Sequence, residues 1–111
     1  MYHSTRNKSI RVTASQAILQ GLSPDGGLFV PETIPQLSKS VEELAGMNYR
    51  ELAYEVLSKF LTDYSEEELK DCINKAYDDK FDTPEIAPLK KVGKMNYLEL
   101  FHGATIAFKD M

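Results

Sequence analysis

The sequence predicts a small, helix-rich α+β domain, and two observations support that prediction. In the middle of the chain, apolar residues recur at the three-and-four spacing of a helix in two consecutive segments. Before and after these segments, short apolar runs are bounded by glycine and proline, which is typical of short strands and turns. With 111 residues, of which 42% are hydrophobic and 27% charged, the chain is predicted to form one globular domain with a modest core.

Short strands are predicted before and after a tight turn in the N-terminal part of the chain. The runs YHS and IRV, at residues 2–4 and 10–12, favour extended backbone. In SPDGG, residues 23–27, a proline fixes its own φ and two glycines can adopt positive φ, which is typical of a tight turn. Residues 28–30 then form a brief strand that Pro31 ends.

A short helix is predicted between these strands. Thr13 and Gln16 have the spacing of a capping box, in which each side chain bonds the backbone of the other residue. The helix would run from Ala14 to about Gln20 and end at Gly21. Its inward-facing residues are predicted to be Ala17 and Ile18.

Three more helices are predicted, each from a cap residue followed three positions later by glutamate. The pairs are Ser40–Glu43, Asn48–Glu51 and Ser65–Glu68. The first helix is short and ends at Gly46. The apolar face of the second comprises Tyr49, Leu52, Ala53, Val56, Leu57, Phe60 and Leu61. That of the third comprises Leu69, Cys72, Ile73, Ala76 and Tyr77. The short connection TDY favours an antiparallel pair of helices.

The single cysteine, Cys72, is predicted to be a buried structural thiol. It has no second cysteine for an internal disulfide, and no neighbour in the sequence would clearly activate it.

After the helices, residues 82–88 are predicted to form a loop because they contain two prolines. Residues 89–92 and 95–100 are predicted to form a hairpin around a Gly-Lys turn.

Charge and hydropathy exclude several classes of partner. Thirteen basic and seventeen acidic residues give a net charge of −4, which argues against a nucleic-acid or anionic-lipid surface. No apolar run reaches the length of a signal core or a membrane span, so we expect a cytoplasmic protein without a membrane partner. Because His3 and His102 are the only histidines, no metal-ligand spacing exists and no metal site is predicted.

The segment FHGATIAFKD, residues 101–110, is the strongest candidate for chemistry. It leaves a predicted strand through Gly103, a position where reactive side chains are often mounted. A pocket lined by apolar neighbours of Lys109 would favour a neutral amine, which suits Schiff-base chemistry with a carbonyl. The apolar neighbours are Phe101, Ile106 and Phe108.

Simpler interpretations of the same segment exist. Lys109 can be a surface lysine near the start of a helix, with Asp110 favourable in the first turn of that helix. His102 can be a loop residue satisfied by backbone groups rather than a catalytic acid or base. From periodicity and composition alone, these interpretations are preferred.

Four blocks, in order, resemble the N-terminal part of threonine synthase. They are YHSTRN at 2–7, AILQGLSPDGGLFVPETIP at 17–35, AY at 76–77 and LELFHGATIAFKD at 98–110. The resemblance implies the N-terminal domain of that enzyme over residues 1–100 and the start of its pyridoxal 5'-phosphate-binding catalytic region over 101–111. It also implies an enzyme of fold type II among those that use pyridoxal 5'-phosphate. By position, Lys109 matches the lysine that binds the cofactor covalently.

The resemblance further implies the last step of threonine biosynthesis, a lyase reaction from O-phospho-L-homoserine and water to L-threonine and phosphate. Lys109 would hold the cofactor and move protons between the α and β carbons. His102 and Thr105 would line the pocket, and Ser4, Thr5 and Arg6 would help to bind the substrate or its phosphate. Because the chain has no glycine-rich phosphate loop, we expect it to need the remaining catalytic domain and to be inactive alone.

Two departures and two alternatives accompany the resemblance. Asn7 stands where the family usually has glycine, a mild change because asparagine tolerates positive φ. Ala104 replaces a proline, which should give the loop before Lys109 more freedom. The enzymatic alternative is a threonine-synthase-like phospho-lyase that releases a keto acid. The non-catalytic alternative is an interaction module in which the two amphipathic helices bind a partner and Lys109 is incidental.

Overall fold

A three-stranded antiparallel sheet forms the N-terminal part of the computed structural model, which describes residues 1–111. Its strands are β1 (Tyr2–Ser4), β2 (Arg11–Val12) and β3 (Phe29–Pro31), in the order β2-β1-β3. The prediction that Pro31 ends the third strand before joining it is wrong, since Pro31 pairs with Tyr2. Proline is tolerated there because β3 is an edge strand, whose outer side needs no N–H donor.

Four helices confirm the sequence predictions closely. They are α1 (Ala14–Gln20), α2 (Val41–Ala45), α3 (Tyr49–Phe60) and α4 (Glu66–Ala76). Each begins with the predicted capping box, with both reciprocal hydrogen bonds present. Gly21 ends α1 with φ of 75°, and its N–H donates to the Ala17 carbonyl. These local signals therefore set the helix boundaries.

A two-stranded hairpin follows the predicted loop. Strands β4 (Leu89–Val92) and β5 (Met95–Leu98) pair antiparallel, and the turn between them contains Gly93 at φ 61°. The second strand ends two residues earlier than predicted, although Glu99 N–H still donates to the Pro88 carbonyl at 3.0 Å. Beyond the hairpin, the chain ends in a loop and a 3₁₀ turn, Phe108–Asp110.

The core is small and lies mainly at α4 and the loop that follows it. Helices α3 and α4 contact each other. Aromatic rings continue the core from Tyr49 to Tyr77, at a 4.8 Å centroid separation, and from Tyr77 to Phe81, at 6.0 Å. The buried apolar side chains are Ala14, Leu69, Ile73, Phe81 and Ile86.

Two predictions of burial are wrong. Ile18 is 59% exposed, because α1 buries Ala14 instead. Cys72 is exposed, because α4 buries only the row of residues four apart that includes Leu69 and Ile73, and Cys72 lies beside that row. The fully buried thiol expected from the helical pattern is thus absent.

Helix α3 also differs from the expected apolar stripe. Its apolar residues are half-buried, and its one buried residue is Glu55. The Glu55 carboxylate accepts hydrogen bonds from Lys39 Nζ at 2.8 Å and Ser38 Oγ at 3.2 Å. The bond from Lys39 is the main reason that the pKa of Glu55 lies below its ordinary value. None of the helices has the combination of length and apolarity that a membrane span requires.

Candidate functional site

The C-terminal segment, residues 101–111, is anchored to the loop before β4. The Asp82 N–H donates to the His102 carbonyl at 3.1 Å. The His102 ring bonds a carboxylate at each nitrogen, Asp82 at Nδ1 and Glu99 Oε2 at Nε2, the latter at 2.8 Å. These three bonds hold the segment to the loop before β4 and to the end of the hairpin.

Two carboxylates at His102 change the expectation for that residue. The interpretation that backbone groups satisfy its ring is wrong, since both ring nitrogens face side-chain acceptors. An imidazolium donates at both nitrogens and therefore satisfies both acceptors. The hydrogen bond to Glu99 and then that to Asp82 raise the pKa of His102 above its ordinary value. His102 thus joins the C-terminal segment to both Asp82 and Glu99.

Lys109 lies on the 3₁₀ turn with its amine accessible. Its side chain is 66% exposed, and its Nζ lies 3.7 Å from Asp110 Oδ1. The apolar pocket expected around it does not form within this chain. The three apolar neighbours are exposed by 51% at Phe101, 74% at Ile106 and 75% at Phe108. No element of these 111 residues packs over them.

Asp110 closes the loop that precedes Lys109. Its Oδ2 accepts from the Thr105 N–H at 2.8 Å, and its Oδ1 accepts from Thr105 Oγ1 at 2.7 Å. The bond from the Thr105 hydroxyl is the main reason that the pKa of Asp110 is lowered. Gly103 is buried beside it, and a Cβ there would lie 2.6 Å from the Asp110 side chain. Asp110 lies in the first turn of the 3₁₀ helix, as the simpler interpretation predicts, and its carboxylate also binds Thr105.

The N-terminal candidates lie in a separate cluster around Asp25. Ser4 is fully buried, and its hydroxyl donates to the Asp25 carboxylate at 2.8 Å while accepting from the Arg6 N–H at 3.1 Å. The Gly27 N–H also donates to Asp25, and that bond is the main reason that the pKa of Asp25 is lowered. Ser4 thus holds the turn at residues 23–27 and is inaccessible to a ligand.

Thr5 and Arg6 remain accessible at the surface of this cluster. The Thr5 hydroxyl accepts from the Leu28 N–H at 3.0 Å, and Arg6 Nη1 donates to the Asp25 carbonyl at 3.0 Å. No hydrogen bond or ion pair joins these residues to His102, Thr105 or Lys109. The candidate residues therefore form two separate clusters, an N-terminal cluster around Asp25 and a C-terminal cluster in residues 101–111.

A cleft of about 490 Å³ lies near the C-terminal cluster but contains none of the predicted site residues. Tyr49, Tyr77 and Phe81 supply its aromatic wall, and Asp82 lies at its lining. Sequence reasoning did not predict the hydrogen bonds that four carboxylates make to the candidate residues. These carboxylates are Asp25, Asp82, Glu99 and Asp110. Each joins residues that periodicity does not relate, so only the folded structure reveals them.

Solved structures show which class of protein contains this fold. The crystal structure described as PLP-bound threonine synthase from Brucella melitensis has a TM-score of 0.80 and 35% sequence identity to this chain. The likeness covers 98% of this chain and 24% of that one. The small helix-and-strand domain is thus the fold of one part of a much larger enzyme.

The family follows from the sequence. The family model described as "Threonine synthase N terminus" matches residues 1–77, and the chain belongs to that family. Threonine synthase of Schizosaccharomyces pombe is 42% identical over 99% of this chain and 22% of its own length. Threonine synthase-like 2 of Homo sapiens is 37% identical over 99% of this chain and 23% of its own length. The chain thus spans less than a quarter of the length of these relatives.

Proposed function

We propose that this chain is the N-terminal part of a threonine synthase. Together with the remaining catalytic domain, it would convert O-phospho-L-homoserine and water to L-threonine and phosphate. The observation that carries the proposal is the family match over residues 1–77, extended by relatives that align with 99% of the chain and so include the Lys109 segment. The domain division at residue 100, the fold type II architecture and the cytoplasmic location belong to the same proposal.

The residues present fit covalent attachment of pyridoxal 5'-phosphate, which is an aldehyde. A lysine amine is the side chain that reacts with such a carbonyl, and Lys109 presents its amine in an accessible position with one carboxylate nearby. When bound, the cofactor supplies an electron sink. No glycine-rich phosphate loop lies in this chain, so other parts of the longer protein would hold the cofactor phosphate.

The other candidates take more limited roles. Lys109 would hold the cofactor and carry a proton on Nζ between neighbouring carbons of the substrate. His102 and Thr105 would shape the loop around it, through the Asp82, Glu99 and Asp110 carboxylates. Arg6 would contact the substrate phosphate, because its guanidinium is exposed and arginine suits phosphate geometry. Thr5 would assist Arg6, and Ser4 would support both from beneath.

Substitution of Lys109 tests this proposal in the complete enzyme. Lys109→Ala should abolish both covalent binding of pyridoxal 5'-phosphate, measured by borohydride reduction and mapping of the label, and turnover. Lys94→Ala, on the hairpin turn, is the matched control and should retain both. Label and turnover that survive in Lys109→Ala would overturn the proposal. The 111-residue chain by itself should release no phosphate from phosphohomoserine.

A phospho-lyase remains the second candidate, since a human relative with 37% identity is described as threonine synthase-like rather than as threonine synthase. Product analysis of the complete enzyme with phosphohomoserine separates the two, because one yields threonine and the other a keto acid. The interaction-module alternative has less support. Helices α3 and α4 use their apolar faces against each other, and the most exposed apolar side chains lie elsewhere.

A further inference from the structure

The loop from Gly103 to Asp110 is held in one conformation by a small set of contacts around Asp110. Both carboxylate oxygens are used by Thr105, one by its N–H and one by its hydroxyl. The Asp110 side chain is only 14% exposed, although its neighbour Lys109 is 66% exposed. A surface aspartate without a structural role would be hydrated by solvent. The geometry therefore indicates that Asp110 is held by its contacts with Thr105.

Gly103 shows that the fit around Asp110 is tight. A Cβ at residue 103 would lie 2.6 Å from both the Cβ and the Oδ2 of Asp110, closer than nonbonded atoms approach. The Ile106 N–H donates to the Gly103 carbonyl at 3.0 Å, which folds the loop into a turn at this point. Only a residue without a side chain therefore lets the carboxylate reach Thr105.

The backbone conformation of Ile106 shows that the loop is locally strained. Its φ is 57°, in the left-handed region that a β-branched residue avoids. Such strain costs about 1–3 kcal/mol and persists only where surrounding contacts over-determine the backbone. The two Asp110 bonds to the adjacent Thr105 are the contacts in position to do so.

We propose that Asp110 is a positioning residue for Lys109, because its carboxylate binds Thr105 at both oxygens, packs closely beside Gly103 and so fixes the turn that carries the lysine. The bond is charge-assisted, which makes it stronger than a bond between neutral groups. The loop is thereby closed before any cofactor arrives, and Lys109 does not have to be ordered at the moment of capture. The inference rests on the proposed role of Lys109 and deepens it.

The first test measures the loop itself. Asp110→Asn keeps the shape of the side chain, but one of its two acceptors becomes a donor that cannot accept from Thr105. In the 111-residue chain, hydrogen exchange of the backbone amides at residues 104–106 should become about tenfold faster, since a bond to a charged group is lost. Asp79→Asn is the matched control, because Asp79 is exposed and makes no hydrogen bond or ion pair. Equal exchange in Asp110→Asn and the control would overturn the proposal.

The second test measures capture of pyridoxal 5'-phosphate by the complete enzyme. Asp110→Asn should raise the cofactor concentration needed for half-maximal labelling of Lys109 by about tenfold, while the midpoint of thermal unfolding stays that of the control. A merely structural role would lower the midpoint, and faster exchange with unchanged labelling would also contradict positioning. If Asp110→Asn does not fold, Thr105→Val replaces it in the exchange and labelling measurements, with the same expected results. This variant removes only the bond from the Thr105 hydroxyl to Asp110.

The two hypotheses fail separately. If labelling proves to lie on a lysine other than Lys109, the proposed function is wrong, yet the exchange measurement on residues 104–106 still reports on the Asp110 contacts. If Lys109 carries the label and Asp110→Asn leaves both exchange and labelling unchanged, only the positioning role is wrong.

Discussion

Ser4 shows how a single hydroxyl can hold a turn together. It is fully buried and bonds the Asp25 carboxylate, while the Arg6 N–H donates to the same hydroxyl. Gly27 is packed so closely against it that a Cβ would lie 2.4 Å from the Ser4 hydroxyl. The turn at residues 23–27 therefore depends on a serine at position 4 and on a glycine at position 27.

Removal of this hydroxyl should lower the free energy of unfolding. Ser4→Ala leaves the Arg6 N–H without its acceptor and the Asp25 carboxylate without one donor, at a cost of about 1–3 kcal/mol. Denaturant titration of the 111-residue chain measures the change. Ser9→Ala, at an exposed serine whose hydroxyl makes no hydrogen bond, is the control and should stay within about 0.5 kcal/mol of the parent chain. A Ser4→Ala variant as stable as that control would contradict the assignment.

His102 should make the attachment of the C-terminal segment depend on pH. Because the hydrogen bonds to Glu99 and Asp82 raise its pKa, the stabilisation is complete below the ordinary histidine value, about 6.5, and is lost as the pH rises through the raised pKa. Hydrogen exchange at residues 101–103 should therefore quicken over that pH range beyond its intrinsic pH dependence.

A titration of the His102 ring by NMR checks the cause. Glu99→Gln should move the midpoint down toward the ordinary value, since Glu99 makes the largest contribution to the shift. Glu85→Gln, an exposed glutamate whose carboxylate makes no hydrogen bond, should leave the midpoint in place. An unchanged midpoint in Glu99→Gln would show that the carboxylate pairing does not set the pKa of this ring.

At the level of elements, the capping boxes define the helices more firmly than the apolar patterns do. Helix α4 (Glu66–Ala76) is capped by Ser65, whose hydroxyl accepts from the Glu68 N–H. Its buried face is narrow, consisting of Leu69 and Ile73. A helix with so little burial depends strongly on its cap.

Replacement of the cap serine should therefore destabilise α4. Ser65→Ala removes the acceptor for the Glu68 N–H and should cost about 1 kcal/mol. Ser65→Asn preserves a cap and should be nearly neutral. Helix content by circular dichroism and the denaturation midpoint both measure the difference. If alanine and asparagine give the same midpoint, the cap does not control this helix.

The hairpin is the element least supported by the rest of the chain. Every residue of β4 and β5 is exposed, on both faces. An isolated two-stranded hairpin is marginal in water, and one with apolar side chains on both faces is suited to being covered. The exposed apolar residues are Leu89, Val92, Met95, Tyr97 and Leu98. If the chain is part of the longer enzyme proposed above, we expect this surface to be covered in that enzyme.

A charged substitution in the hairpin should destabilise the complete enzyme more than the 111-residue chain. Met95 is 60% exposed here, so Met95→Lys should change the unfolding free energy of the chain by less than about 0.5 kcal/mol. In the complete enzyme, where the hairpin is expected to be covered, the same change should cost about 2 kcal/mol or more. Lys91→Gln on the neighbouring strand is the control. Equal effects in both proteins would mean that the hairpin stays exposed.

Across the whole molecule, local chemistry was predictable from the sequence and tertiary contact was not. The caps at Thr13, Asn48 and Ser65 predicted helix starts correctly because each capping box involves residues within four positions. Burial of Ile18 and Cys72 was predicted wrongly because it depends on which element packs over them. Apolar character alone does not supply that information.

In the candidate site, too, some features were predictable from the sequence and the tertiary contacts were not. The resemblance predicts Lys109 as the reactive lysine, and the structure places this residue on a 3₁₀ turn next to Asp110, which binds Thr105. The partners of His102 and Thr105 were not predictable, because Asp82 and Asp110 reach them across loops with no period. Ser4 was predicted at the substrate and instead lies beneath the surface, where it supports the Asp25 turn. The accessible members of that group are Thr5 and Arg6.

The strand order β2-β1-β3 has a consequence for synthesis on the ribosome. The middle strand emerges first, β2 joins one side soon afterwards, and the other side stays open until Phe29–Pro31 has left the exit tunnel. If β1 and β2 pair before β3 is available, one edge of β1 has no hydrogen-bonding partner, and such an open edge can pair with another chain.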